Sequence, residues 1–452
     1  AAINGFGFGG INAHVLIEEW AGQAERPSPP RRRRREESLT SPLEVQSEPP
    51  HVGTYPETAP IAIIGLGTHI GPWKNLRSFT AHVLGADTDT QPQARPEWRG
   101  LHPDALAAQP GHFVDDLVIP VSRYRIPPRE LTELLPQQAL MLEVAREALA
   151  DARVTEPNPT RTGVFIGLGL DLRTTDFHFR WSMLDRASNW ANHLPADVSE
   201  QDAAAWAARM VECANPPLNA DRTMGALAGT NASRIAKEFR IGGQSYTVCS
   251  EDTSGLSALE IAVRALQRGE LDLALAGGVE LTGDLRTRLA ESVLHKDAIP
   301  GEGAVAIVLK RLDDAQRDGD RVYAVIRGVG VASARAGGFQ PPPLSRPQAT
   351  DGDWKSPSHT LATTRALTEA GFANATPIPS AAAEVGHTGS ASGLVDLAKA
   401  ALALHNEILP ASAAAPQHWL RNRKDGPRRA AITATSVDGN AMSVVLEAHE
   451  PV

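Results

Sequence analysis

The amino-acid sequence predicts an α/β fold in which helices cover both faces of a largely parallel central sheet. Two observations predict it. Short apolar runs alternate along the chain with stretches of helical periodicity, which is the pattern of layered α/β domains. Most of these runs are apolar at nearly every position, as in "PIAIIGLGTHIGP", "RTGVFIGLGL" and "GEGAVAIVLK". Such runs are typical of strands that are buried on both faces.

The predicted helices each carry an apolar or small-residue face. In "PQQALMLEVAREALADA" the residues Leu140, Val144, Ala148 and Leu149 recur at helical spacing. In "TMGALAGTNASRIAKEF" small residues lie on one side, as close packing requires. The segment "SYTVCSEDTSGLSALEIAVRALQRGELDLALAGGVEL" combines the elements in order: a strand, a sharp acidic turn, an amphipathic helix and a second strand.

Composition excludes some classes of function. The net charge of -9 over 452 residues argues against nucleic-acid binding, because polyanions attract basic surfaces. The two cysteines, Cys213 and Cys249, cannot form a disulfide framework, which indicates a reducing cytoplasm. No apolar run reaches the roughly 20 residues that a membrane-spanning helix needs.

The two ends of the chain repeat each other. "AAINGFGFGGINAHVLIEEW" at the start and "AAITATSVDGNAMSVVLEAH" near the end share an opening, a glycine at the tenth position and an apolar close. The segment between the first copy and Ala59 is rich in Pro, Ser, Glu and Arg, and its Arg run is followed by two Glu. We therefore expect the tail of one domain (1–20), a disordered linker (21–58) and a nearly complete second copy (59–452).

The motifs of 59–452 resemble those of the β-ketoacyl synthases. "PQQALMLEVAREALADA", "RTGVFIG", "SALEIAVRALQRGELDLALAGGV", "GEGAVAIVLKRL", "DGDRVYAVIRG" and "GHTGSASG" stand in the family's order. The resemblance implies a thiolase-like layered α/β/α/β/α fold with two related halves. The leading fragment resembles the C-terminal end of a working ketosynthase, whose Gly-rich loop helps to hold an oxyanion. The matching loop residues are Phe6, Gly7, Phe8, Gly9 and Gly10.

The second copy departs from the family at three of its catalytic positions. Anchored on Leu256, the alignment places Asp252 where working members carry the nucleophilic Cys. We interpret Asp252 as a helix-capping residue, and Cys249, three residues earlier, as a small buried residue within the strand. The motif of the first family histidine is missing. His387 in "VGHTG" matches the second, and a lone histidine favours a structural role. The C-terminal loop has become "TSVDG".

These departures are similar to those of chain-length factors, ketosynthase-like partners in which the Cys is replaced. The resemblance implies a non-catalytic domain that pairs with the upstream ketosynthase and shapes the acyl-chain tunnel. Substrates would be carried on the phosphopantetheine of an acyl carrier protein; neither a metal nor a bound cofactor is expected. Two alternatives remain: a malonyl-carrier-protein decarboxylase that makes starter units, and an active condensing enzyme that uses Cys249.

The candidates for the tunnel lie in the stretch after "RTGVFIGLGL", which is dense in large side chains. Phe177 and Trp181 lie four residues apart and share a face if the segment is helical, whereas Phe179 does not. In chain-length factors, bulky residues at this point meet the partner's tunnel. Phe177 and Trp181 are therefore candidates for the tunnel floor, with ordinary core or interface packing as the alternative.

Overall fold

The computed structural model describes residues 2–6 and 12–16 and, with gaps, residues 59–450. The longest gaps are 94–109 and 334–356, and the shorter ones are 87–88, 116, 155–156, 170–175, 194–197, 215–216, 218, 226, 228, 283–284, 296–297 and 411–415. The contacts divide the chain into two units, 1–52 and 53–452. The predicted linker, 21–58, lies outside the described residues.

The described part of the first unit is a β-hairpin. Strand β1 (Ala2–Phe6) pairs antiparallel with β2 (Asn12–Leu16), so that Ala2 faces Leu16 and Phe6 faces Asn12. The second unit ends in a hairpin of the same kind, β12 (Arg429–Thr435) with β13 (Asn440–Glu447). The repeat seen in the sequence therefore corresponds to one supersecondary element formed twice.

The remaining elements of the second unit alternate strands and helices. The other strands are β3 (Ile61–Ile70), β4 (Thr162–Leu168), β5 (Ser245–Val248), β6 (Leu273–Glu280), β7 (Gly303–Arg311), β8 (Ala324–Ser333), β9 (Thr376–Pro377), β10 (Ile408–Leu409) and β11 (Gln417–His418). The helices are α1 (Leu76–Val83), α2 (Pro128–Thr132), α3 (Pro136–Asp151), α4 (Asp176–Ala191), α5 (Glu200–Ala214), α6 (Ala220–Gly225), α7 (Thr230–Glu238), α8 (Ser254–Gln267), α9 (Leu285–Leu294), α10 (Leu312–Asp318), α11 (Pro357–Ala370), α12 (Ala382–Val385) and α13 (Ser392–Asn406).

The main sheet consists of two halves with related topology. Within the described residues its nine strands follow the order β5-β4-β6-β7-β3-β8-β13-β12-β9. In the first half, the first strand, β3, lies beside the last, β7; in the second half, β8 lies beside β13. The halves join through β3 and β8, where Ile61 faces Ile326. This arrangement confirms the expectation of an α/β fold with two related halves.

The sheet is mixed, so the prediction of a largely parallel sheet was wrong. Strand β4 is parallel to β5 and β6, but β7 is antiparallel to both of its neighbours, and β13 to both of its own. The strands read as continuous apolar runs because helices cover both faces of the sheet. Burial on two faces does not depend on strand direction, and the sequence pattern therefore could not distinguish the two kinds of sheet.

Alternate residues of the strands pack into the hydrophobic cores on opposite faces of the sheet. On β3, Ile61 and Ile63 pack into a core that includes α8 and α13, whereas Ala62 and Ile64 face α3 and α7. Helix α11 packs on the second half, against β8 and β13. The fold therefore has five layers. Helices α3 and α7 form the first, the first half-sheet the second, and helices α8 and α13 the third. The second half-sheet forms the fourth, and helix α11 the fifth. The predicted face of α3 is buried as expected, with Leu140 at 0% exposure.

Candidate active-site remnant

A tight turn joins β5 to α8 at the position predicted for the family nucleophile. Its backbone is held by its own side chains: the Ser250 N–H donates to Ser254 Oγ (2.8 Å), and Thr253 Oγ1 donates to the Ser250 carbonyl oxygen (2.7 Å). Glu251 adopts a left-handed backbone conformation with φ of 46°, which is uncommon for a residue other than glycine. The turn therefore fixes the direction in which the next residue, Asp252, projects.

Asp252 does not cap helix α8, so the capping interpretation was wrong. The N-cap residue of this helix is Thr253, and the helix has no side-chain capping hydrogen bond. Asp252 lies one residue before the cap and is 8% exposed. Its carboxylate points to two histidines. Asp252 Oδ1 lies 3.3 Å from His387 Nε2, and Asp252 Oδ2 lies 3.7 Å from His295 Nε2.

The two histidines are fixed by different elements. The His387 N–H donates to the Ile299 carbonyl oxygen (2.7 Å), and the His387 carbonyl accepts from the Gly301 N–H (2.8 Å). His295 directly follows α9, and its N–H donates to the Glu291 carbonyl oxygen (2.7 Å). The imidazole rings meet edge to face, with centroids 4.1 Å apart. His387 is therefore not the lone histidine that the sequence indicated.

Burial and an acidic environment shift the pKa of the groups in this cluster. Burial, reinforced by Glu291, Glu251, Glu280 and Asp438, raises the pKa of Asp252 to about 7. Burial, with a smaller contribution from His295, lowers the pKa of His387 to about 4. At neutral pH His387 is thus uncharged, while the Asp252 carboxyl is near its midpoint.

Glu280 lies beside the cluster at the end of β6 and is itself buried. Its Oε2 accepts hydrogen bonds from Ser390 Oγ (2.6 Å) and from the Ser390 N–H (3.3 Å). These contacts tie the end of the first half-sheet to the segment that precedes α13. They also place a second carboxyl group near Asp252, which disfavours negative charge on Asp252.

The donor atoms of the cluster are close enough to share a metal ion. One atom each from Asp252, His295 and His387 lies within 4.8 Å of the other two. His295 was missed at the level of sequence because it belongs to no family motif and lies far from Asp252 and His387 along the chain. A local signal could have identified His295. The segment "LHKDAIPGEG" places this histidine shortly before β7, and β7 lies beside β6 in the sheet.

Cys249 differs from its prediction in both location and exposure. It follows the last residue of β5 and is exposed rather than buried in the strand. Although the residue as a whole is exposed, partial burial of the thiol raises its pKa. A hydrogen bond from the Glu251 backbone N–H partly opposes this rise, and the negative charges of Glu251 and Glu280 add to it. A raised pKa reduces the thiolate fraction, which is the nucleophilic form.

The tunnel candidates lie on helix α4, which confirms the helical spacing of Phe177 and Trp181. Trp181 is 63% exposed, and the side chain of Phe177 lies outside the described residues. Of the predicted upstream loop, the backbone of Phe6 ends β1. Its other members lie outside the described residues; they are Gly7, Phe8, Gly9 and Gly10.

Family models match both halves of the second unit. The β-ketoacyl synthase N-terminal domain matches residues 58–293, and its C-terminal domain matches residues 357–415. The chain belongs to the β-ketoacyl synthase family. The match confirms the resemblance on which the site assignments depend.

Curated β-ketoacyl synthase relatives are far longer than this chain. A polyunsaturated fatty acid synthase polypeptide of Thraustochytrium sp. is 25% identical, over 99% of this chain and 24% of its own length. A phenolphthiocerol/phthiocerol polyketide synthase polypeptide of Mycobacterium tuberculosis is 28% identical, over 72% of this chain and 16% of its own length. The chain thus spans a quarter or less of these proteins.

Solved structures share the thiolase-like ketosynthase fold. A structure described as a PfaC keto synthase–chain length factor has a TM-score of 0.72 at 20% identity, covering 100% of this chain and 47% of that one. An oxazolomycin ketosynthase domain from Streptomyces albus has a TM-score of 0.66 at 22% identity, covering 87% and 75%. In the described part of the chain, no helix has the length and apolarity to cross a membrane.

Proposed function

We propose that residues 59–452 form a non-catalytic ketosynthase-like domain that pairs with an active ketosynthase and shapes its acyl-chain tunnel. The observation that carries the proposal is the identity of the residue at the β5–α8 turn, where Asp252 takes the place of the family Cys. A carboxylate is a poor carrier of a thioester-derived acyl group. The exposed Cys249, with its raised pKa, is a poor substitute.

Pairing is supported by the edge of the sheet. Strand β5 is the terminal strand in the described sheet order, and Tyr246 on it is 40% exposed. An edge strand offers unpaired N–H and C=O groups that favour addition of another strand. We infer that β5 lies at the interface with the partner ketosynthase. We propose that residues 1–20 are the end of that ketosynthase, because "GFGFGGINAHVLIEE" resembles the C-terminal end of a working ketosynthase.

The growing chain would reach this pair on the phosphopantetheine of an acyl carrier protein. That partner is proposed because the relatives are fatty-acid and polyketide synthases. No organic cofactor would be bound to the domain itself. A cytoplasmic location is likewise proposed from the cysteine usage of the chain.

The tunnel proposal predicts a change of product length. Phe177 and Trp181 lie four residues apart on helix α4, the spacing that places residues on one helical face. Replacement of either by Ala would remove a large blocking volume. We expect longer acyl products from Phe177→Ala or Trp181→Ala when the variant remains folded and paired. Phe179→Ala, on a different face of the same helix, is the matched control. Unchanged product length in both folded test variants would contradict the proposal.

One observation favours a second candidate, a malonyl-carrier-protein decarboxylase. His295 and His387 both face Asp252, so the cluster holds two histidines that could support an enolate. Incubation of the chain with a malonyl carrier protein separates the candidates. The non-catalytic proposal predicts no acetyl carrier protein above the spontaneous rate. Acetyl product that disappears in His295→Gln and His387→Gln would establish the decarboxylase instead.

A further inference from the structure

Asp252, His295 and His387 each direct one possible metal-binding atom into a shared space, with these atoms within 4.8 Å of one another. A metal held tetrahedrally at the distances usual for imidazole and carboxylate ligands places its donors about 3.4 Å apart. The Asp252 Oδ1 to His387 Nε2 distance is 3.3 Å, and the Asp252 Oδ2 to His295 Nε2 distance is 3.7 Å. These distances involve different oxygens of Asp252; taken one atom from each residue, the three donors lie within 4.8 Å of one another, so they must move closer together to bind one ion.

The hydrogen bonding of His387 fits a metal ligand. Its Nε2 is buried and makes no hydrogen bond, although Asp252 lies near it. Its Nδ1 lies 3.4 Å from Ser392 Oγ, so Nδ1 can carry the proton and leave a lone pair on Nε2. Metal-binding histidines commonly orient their rings through the second ring nitrogen in this way. A metal would therefore satisfy a buried atom that the protein leaves without a partner.

The charge around the cluster also suits a cation. Carboxylates of Glu251, Glu280, Glu291 and Asp438 lie close enough to act on Asp252 electrostatically, and their like charges repel one another. A bound divalent cation reverses this effect, because it stabilises negative charge on its ligand and on the surrounding carboxylates. The acidic environment thus favours a bound cation.

We propose that Asp252, His295 and His387 bind one divalent transition-metal ion of the zinc class. Two imidazole ligands favour zinc, cobalt or nickel over magnesium and calcium, which prefer oxygen. Three protein ligands leave one tetrahedral position for water or another small ligand. The site is independent of the proposed function, since a metal can bind here whether or not the pair condenses acyl groups.

Titration of the 452-residue chain with Zn²⁺ and Co²⁺ after chelator treatment tests the site. Calorimetry gives affinity and stoichiometry, and the visible absorption of bound Co²⁺ reports tetrahedral nitrogen–oxygen coordination. We expect one saturable ion per chain with tetrahedral cobalt bands. His295→Gln, His387→Gln and Asp252→Asn should each weaken binding by at least about tenfold. His405→Gln, a histidine of α13 outside the cluster, should not.

Two outcomes would overturn the proposal. One is the absence of saturable binding to the parent chain, which needs no variant to fold. The other is binding that keeps its affinity in all three folded ligand variants, because the ion then lies elsewhere. Neither outcome depends on product formation, so failure of the metal site is distinguishable from failure of the proposed pairing.

Discussion

Replacement of Asp252 by Asn should remove a pH-dependent loss of stability. Folded Asp252 holds its proton up to about pH 7, whereas the unfolded residue releases it near 3.8. The free energy of unfolding attributable to this group therefore falls as the pH rises from about 4 to about 7. The difference between a pKa of 3.8 in the unfolded chain and one of about 7 in the folded protein corresponds to about 4 kcal/mol at pH values above both. Asn cannot ionise, so the variant lacks this dependence.

The assay is urea unfolding at several pH values between about 5 and about 8, with a chelator present so that no metal ion neutralises the carboxylate. We expect Asp252→Asn to be more stable than the parent at the highest pH, by up to about 4 kcal/mol, and the difference to shrink toward low pH. The exposed Asp313, as Asp313→Asn, is the control. Parallel stability–pH curves for parent and Asp252→Asn would refute the reasoning.

Two further substitutions test the packing. Gly67→Ala would press a Cβ against a backbone oxygen of α3, well inside contact distance, and should cost about 2 kcal/mol in thermal unfolding. For the control Gly242→Ala, the added Cβ would meet nothing closer than 3.4 Å, so the free energy of unfolding should change by no more than about 0.5 kcal/mol. Equal losses of stability in Gly67→Ala and Gly242→Ala would contradict the close packing of Gly67 against α3. Glu384→Gln removes the negative charge that lies 2.7 Å from the ammonium of the fully buried Lys399 and should cost about 3 kcal/mol. Glu407→Gln alters an ion pair with Arg428 whose carboxylate side chain is 62% exposed, and it should cost less than about 1 kcal/mol. A similar loss in both variants would show that the burial of Lys399 has little effect.

The layered architecture could be predicted because local patterns determine it. The helical face of α3 and the hairpin repeat at the two ends of the chain are both short-range features. Strand direction was not predictable, because apolar runs report burial and not orientation. Topology decides direction, as when β7 returns antiparallel beside β6.

The candidate site was only partly predictable. Asp252 and His387 were found because motifs flank them on both sides. His295 was missed because its nearness to Asp252 arises from folding, when α9 ends beside the β5–α8 turn. The prediction that Asp252 caps helix α8 was wrong for a related reason. The side chain of a residue just before a helix can face the helix N-terminus or turn away from it. Here the backbone turn at Glu251 directs the Asp252 side chain to the two histidines.

If this domain assists condensation without taking part in the chemistry, its polar cluster should be dispensable for product formation. The direct test is to reconstitute an active partner ketosynthase, an acyl carrier protein and this chain, with Asp252→Asn and His387→Gln combined. Chromatography checks that the pair still forms, and a partner without its active-site cysteine is the negative control. We expect product formation within about twofold of the parent pair. Loss of product from a folded, paired variant would contradict a non-catalytic role, because these groups would then be catalytic.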